Sequence, residues 1–76
     1  METQAVVLSS LRDVLDPETG ASMLDLGVIR DVRFGDTQVT IVLNGAHELA
    51  RHFADEAEAA ARDAVPEGWS VEVALA

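Results

Sequence analysis

Two runs of alternating apolar and polar residues, 28–34 and 38–43, stand on either side of Gly35-Asp36-Thr37. Successive side chains of a strand point to opposite faces, so each run has one face to bury and one to expose. A glycine-containing tripeptide between two such runs signals a β-hairpin. Val39, Ile41 and Leu43 make one face of the second run, against Gln38, Thr40 and Val42. In the first run Val28, Arg30, Val32 and Phe34 read as the core face, with Arg30 the polar exception. A hairpin with an apolar face needs a second layer to cover it.

The flanking sequence supplies that layer. Val7, Leu8, Leu11, Val14 and Leu15 recur at helical spacing, with Thr3 placed to cap the helix and Pro17 to end it. After the hairpin, Leu49, Ala50, Phe53, Ala57, Ala60, Ala61 and Ala64 mark a helix over 46–64, opened by Asn44 and stopped by Pro66-Glu67-Gly68. An alanine-rich stripe lets a helix lie close to a sheet, and Glu58 and Arg62 form a favourable i,i+4 pair on its other side. Trp69, Val71, Val73 and Leu75 then alternate with Ser70, Glu72 and Ala74 as a third strand. The expectation is an α/β (α+β) fold: a two-layer α-β-β-α-β single domain over 1–76, with a three-stranded sheet and two helices on one face. The third strand pairs either parallel to the second or antiparallel beside the first, and the pattern does not choose.

Composition removes several functions. A chain of 76 residues buries only about 60% of its unfolded surface, so its core is thin and a homodimer is expected. There is no cysteine, which excludes disulfides, thiolate ligands and a cysteine nucleophile. The formal charge is −9, and all five cations are arginine. Such a surface suits solubility or basic protein partners and repels phosphate backbones, so nucleic acid is not an expected partner. No apolar run approaches the roughly 20 residues of a membrane span, and Met1-Glu2-Thr3 does not begin a secretory signal. A cytoplasmic protein without membrane contact is expected.

Few residues suggest catalysis. Asp16 and Glu18 flank Pro17, and Asp25 lies beyond the loop. Paired carboxylates can share acid and base roles, but no nucleophile stands near these, and turn-forming acids are the simpler reading. His47 and His52, five apart on the predicted helix, point to different faces and lack the zinc-clamping i,i+4 spacing. Glu48 and Glu56 each sit four residues from His52, which reads as surface pairing. No phosphate-binding or dinucleotide motif exists, and Ser22 has no triad partner. Leu24-Asp25-Leu26 lacks the serine that an acyl carrier would need. No cofactor or metal is expected.

One larger pattern remains. Leu11-Arg12-Asp13-Val14-Leu15-Asp16-Pro17-Glu18, followed by Asp25-Leu26-Gly27-Val28-Ile29, resembles the SufT/PaaD-like metal–sulfur cluster assembly family. In that family a helix runs into Asp-Pro-Glu, a short loop follows, and Asp-Leu-Gly opens a strand. The hairpin, long helix, Pro-Gly break and Val-rich last strand also fit in order. The physical expectation is that Pro17 fixes the helix exit and that Gly27 permits a close backbone approach. Asp16, Glu18 and Asp25 would cap loop N–H groups. The resemblance also implies a Pro-Gly-Cys-Pro-like loop after the second strand, whose cysteine opens the long helix. Here that position reads Asn44-Gly45-Ala46-His47, without the cysteine. What the resemblance implies is an accessory or adaptor protein of Fe–S cluster assembly, or of metal–sulfur enzyme maturation. It would act by contacts with assembly proteins or a client enzyme. The alternatives are a non-catalytic subunit of an unrelated complex and a small enzyme using Asp16, Glu18 and Asp25.

Overall fold

The run 38–43 contains more valine, isoleucine and leucine than either neighbour, and the most apolar strand belongs at the centre of a sheet. A computed structural model, which describes residues 3–76, places β2 (Gln38–Leu43) between β1 (Ile29–Phe34) and β3 (Ser70–Leu75). Val39, Ile41, Val42 and Leu43 are all buried. β1 and β2 form the expected antiparallel hairpin, closed by the Gly35 N–H donating to the Gln38 carbonyl at 2.8 Å. β3 runs parallel to β2 in unbroken register from Gln38↔Ser70 to Leu43↔Leu75, which decides the pairing that the pattern left open. A parallel neighbour demands a crossover, and α2 (Ala50–Ala64) provides it.

Arg30 does not lie on the core face. The β1–β2 register shifts between Ile29 and Asp31, so one extra residue is accommodated there as a bulge. The bulge resets the alternation. Ile29, Val32 and Phe34 stand opposite Leu43, Ile41 and Val39, while Arg30 is exposed. On the uncovered face Arg33 donates to Asp31 at 2.9 Å, and this bond holds the Asp31 carboxyl below its usual pKa.

The first helix is shorter than its apolar spacing suggests. α1 (Thr3–Arg12) already includes Thr3 and ends well before Pro17. Val14 closes the last turn on the Leu11 carbonyl, and Leu15 then pairs with Ser22 in an isolated antiparallel bridge. Val7 and Leu11 are buried, Leu8 within the helix is 38% exposed, and Leu15, beyond the end of the helix, is 53% exposed.

α2 also starts later than expected, at Ala50. Asn44 caps a turn rather than the helix: its Oδ1 accepts the Ala46 N–H at 3.1 Å and its carbonyl accepts the His47 N–H at 2.9 Å. The α2 stripe is as expected, with Ala50, Phe53, Ala57 and Ala61 buried, and Arg62 bonds Glu58 at 3.0 Å. Val65 is extended, as the residue before a proline should be, and Gly68 turns the chain at φ 91°. The two helices pack on each other, and α2 lies on β2 and β3. Phe53, Leu11, Met23, Ile41 and Leu43 are the largest fully buried side chains. Met23, from the α1–β1 loop, ties that loop to the core.

Candidate functional site

The loop after α1 is held by its own polar groups. Asp16 is buried, its N–H donates to the Ala21 carbonyl at 2.8 Å, and its carbonyl accepts the Gly20 N–H at 2.7 Å. Its carboxylate accepts the Glu18 N–H at 3.3 Å and the Thr19 hydroxyl at 3.0 Å. Thr19 Oγ1 in turn accepts the Ala21 N–H at 3.2 Å. Both Asp16 carboxylate oxygens are therefore used in building the turn, as a short acidic side chain in a tight turn usually does. Pro17 sits in this turn, outside the helix it was expected to terminate. Glu18 and Asp25 are exposed and cap nothing among the described residues, so of the three acids only Asp16 fills the structural role expected of all. Ser22 accepts the Leu24 N–H at 3.2 Å and is likewise a turn former.

The close backbone approach expected at Gly27 is found at Gly45 instead. Around Gly27 there is open space where a side chain would begin, and its φ is +75°. Its requirement is the left-handed backbone, not the close approach expected at the start of the strand. The close approach belongs to Gly45. Its N–H donates to the Ala76 carbonyl at 2.7 Å, and an added Cβ would lie 3.0 Å from that oxygen. Gly27→Ala should lower stability by about 1–2 kcal/mol, the usual cost of forcing an L side chain into this region. Denaturant unfolding measures it, and a change below a few tenths of a kcal/mol would contradict the assignment.

Opposite the loop stands the turn that leads into α2. His47 lies in this turn and not on the helix. Its Nδ1 accepts the Leu49 N–H at 3.1 Å, which in the neutral ring leaves the proton on Nε2. His52 follows within the first turn of α2, its ring meeting that of Phe53 edge-on with centroids 5.1 Å apart. The expectation that the two histidines project apart from one helix is thus corrected. Both line one groove of about 560 Å³. Asp16, Pro17, Glu18 and Thr19 form one wall, and His47, Glu48, Leu49 and His52 form the other. Leu26 adds an apolar element to the lining. Asp25 and Gly27 do not line the groove, nor do Asn44, Gly45 and Ala46, which position His47. The participation of Glu48 and His52 was missed from sequence. The signal was Asn44-Gly45, a dipeptide that marks a turn more strongly than a helix start.

The groove is acidic at its rim, with Glu18 and Glu48 exposed, and has apolar surface in Pro17, Leu26 and Leu49. Its donors suit a metal–sulfur cluster poorly. Such clusters want thiolates, and the chain has none. Asp16 and His47 Nδ1 already hold backbone or hydroxyl groups, and no three His, Asp or Glu side chains converge as ligands among the described residues. Anaerobic incubation with iron and sulfide, followed by desalting, is expected to leave less than stoichiometric iron and no cluster absorbance. A stable brown protein that loses its colour on His47→Ala would contradict this.

Comparison with known proteins agrees with the fold and with the sequence pattern. A crystal structure titled as a domain of unknown function, DUF59, from Bacillus anthracis superposes with a TM-score of 0.75 at 22% identity. The match covers 97% of this chain and 74% of that one, and it establishes likeness of fold. No match was found among functionally curated protein sequences. The model of a family described as iron–sulfur cluster assembly protein matches residues 4–75. The groove, the Asp16-Pro17-Glu18 turn and the whole α-β-β-α-β frame fall within that match, and the chain belongs to the iron–sulfur cluster assembly protein family.

Proposed function

We propose that this chain serves iron–sulfur cluster assembly as a non-catalytic adaptor that docks a protein partner in the groove between the α1–β1 loop and the α2 turn. One observation carries the reading: two segments far apart in sequence, Asp16-Pro17-Glu18 and His47, face each other across one groove. These are the segments on which the family resemblance rests and from which the family's cysteine is missing. Acidic rims beside Pro17, Leu26 and Leu49 fit a partner segment that presents arginine or lysine next to an apolar side chain. The net charge of −9 favours the same kind of partner at longer range. On this reading the cluster is cargo held by the partner, and the chain contributes recognition.

A catalytic role for Asp16, Glu18 and Asp25 has less support. The Asp16 oxygens are engaged in the turn, and Asp25 lies outside the groove. Affinity capture from native lysate under anaerobic conditions tests the proposal. Cluster-assembly proteins or an Fe–S enzyme should dominate the captured material. Consistent recovery of an unrelated enzyme complex would favour the alternative of a small subunit serving that complex.

A further inference from the structure

The two edges of the sheet differ in a way that points to a partner for one of them. β1 carries a bulge at Arg30 and three charged residues, Arg30, Asp31 and Arg33. Bulges and charges are how natural sheets protect an edge from further pairing. β3 has neither protection. It holds unbroken register with β2 over six residues, contains no proline and has one charge, Glu72.

The polarity of the β3 edge follows from its bonds to β2. Ser70 N–H donates to Thr37 at 3.0 Å and Ala76 N–H to Leu43 at 3.0 Å, while the Ala76 carbonyl accepts from Gly45 at 2.7 Å. Residues 70, 72, 74 and 76 therefore turn their main-chain groups toward β2, and Val71, Val73 and Leu75 turn theirs to the open edge.

We infer that this edge binds a second copy of the chain. The two β3 strands pair antiparallel about a two-fold axis through Val73, extending the sheet to six strands. In this register Val73 faces Val73 of the second copy, and Val71 faces Leu75, giving about six main-chain hydrogen bonds. Leu75, 47% exposed in the single chain, gains an apolar neighbour on the core face. On the opposite face Glu72 meets Ala74, so the two glutamates avoid each other. An axis through Glu72 would set like charges directly opposite, which destabilises a sheet. An axis through Ala74 would set Val71 opposite a position beyond the end of β3. The strand is thus self-complementary in charge and shape in one register. An interface of six residues is small, so dissociation constants on the order of 100 μM are expected. Because each copy carries −9, association should strengthen with salt.

Sedimentation equilibrium of the whole chain from about 10 to 500 μM, at low and high salt, with amide hydrogen exchange at both concentration limits, tests the proposal. A monomer–dimer equilibrium is expected, and the amides of Val71, Val73 and Leu75 should gain protection as concentration rises. Two variants at half-buried Ala74 test the register. Ala74→Lys places opposite charges together and should tighten the dimer about fivefold at low salt, whereas Ala74→Glu should weaken it by a similar factor. Circular dichroism confirms that both remain folded. A monomer throughout, protection gained at β1 instead, or variants that shift affinity in the same direction would overturn the inference.

Discussion

Phe53→Ala is expected to remove a large part of the stability of the folded domain. Phe53 is fully buried, and it belongs to the core cluster that includes Val7 and Leu11 of α1, Met23 of the loop and Ile41 and Leu43 of β2. Removing such a ring costs about 3–5 kcal/mol through lost burial and the cavity left behind. A 76-residue domain has about 4–11 kcal/mol of stability in total. A loss of that size removes essentially all the stability at the bottom of that range and under half of it at the top. The remaining core offers little to fill the gap, because α2 presents only alanines beside Phe53: Ala50, Ala57 and Ala61. Phe53→Leu keeps most of the volume and should stay folded with a lowered denaturation midpoint. Circular dichroism with urea titration reads both. A cooperative transition for Phe53→Ala within about 1 kcal/mol of the parent would mean that the core is organised around something else.

Most of the fold was legible because its elements rest on period. Alternation located β1, β2 and β3 to within a residue or so, and the alanine–phenylalanine stripe located the body of α2. The misreadings share one cause: local capping and bulge geometry, which periodicity does not encode. Leu15 keeps helical spacing after α1 has ended, and Arg30 keeps strand alternation through a bulge that resets it. Asn44 has the side chain of a helix cap but spends it on a turn, so α2 starts at Ala50 and His47 leaves the helix.

That last shift is why the groove was half hidden in the sequence. Its loop wall could be read from Asp16-Pro17-Glu18, since the proline and acids mark a turn. The other wall requires knowing that residues 44–48 fold as a turn, which brings His47 and His52 to the same side. Leu26 was noticed as part of Asp25-Leu26-Gly27, yet of those three it alone lines the groove. The requirement at Gly27 is a φ value, and the crowding expected there occurs at Gly45.

Reversing the charge of the groove rim tests the central claim most directly. Glu18 and Glu48 both line the groove and are exposed, and neither carboxylate makes a hydrogen bond or ion pair among the described residues. The double substitution Glu18→Arg with Glu48→Arg should therefore change stability by no more than about 0.5 kcal/mol. It places like charge against a partner segment that presents arginine or lysine, and such juxtaposition costs several kcal/mol across an interface. The comparison is anaerobic affinity capture with the parent chain, the double variant and Glu67→Arg. Glu67 is exposed in the turn before β3, at the end of the sheet near Thr37, whereas the groove lies beyond the other end of β2. Recovery of Fe–S assembly partners should fall at least about tenfold for the double variant and stay near the parent level for Glu67→Arg. Equal recovery with a folded double variant would contradict the account and move the docking surface away from the groove.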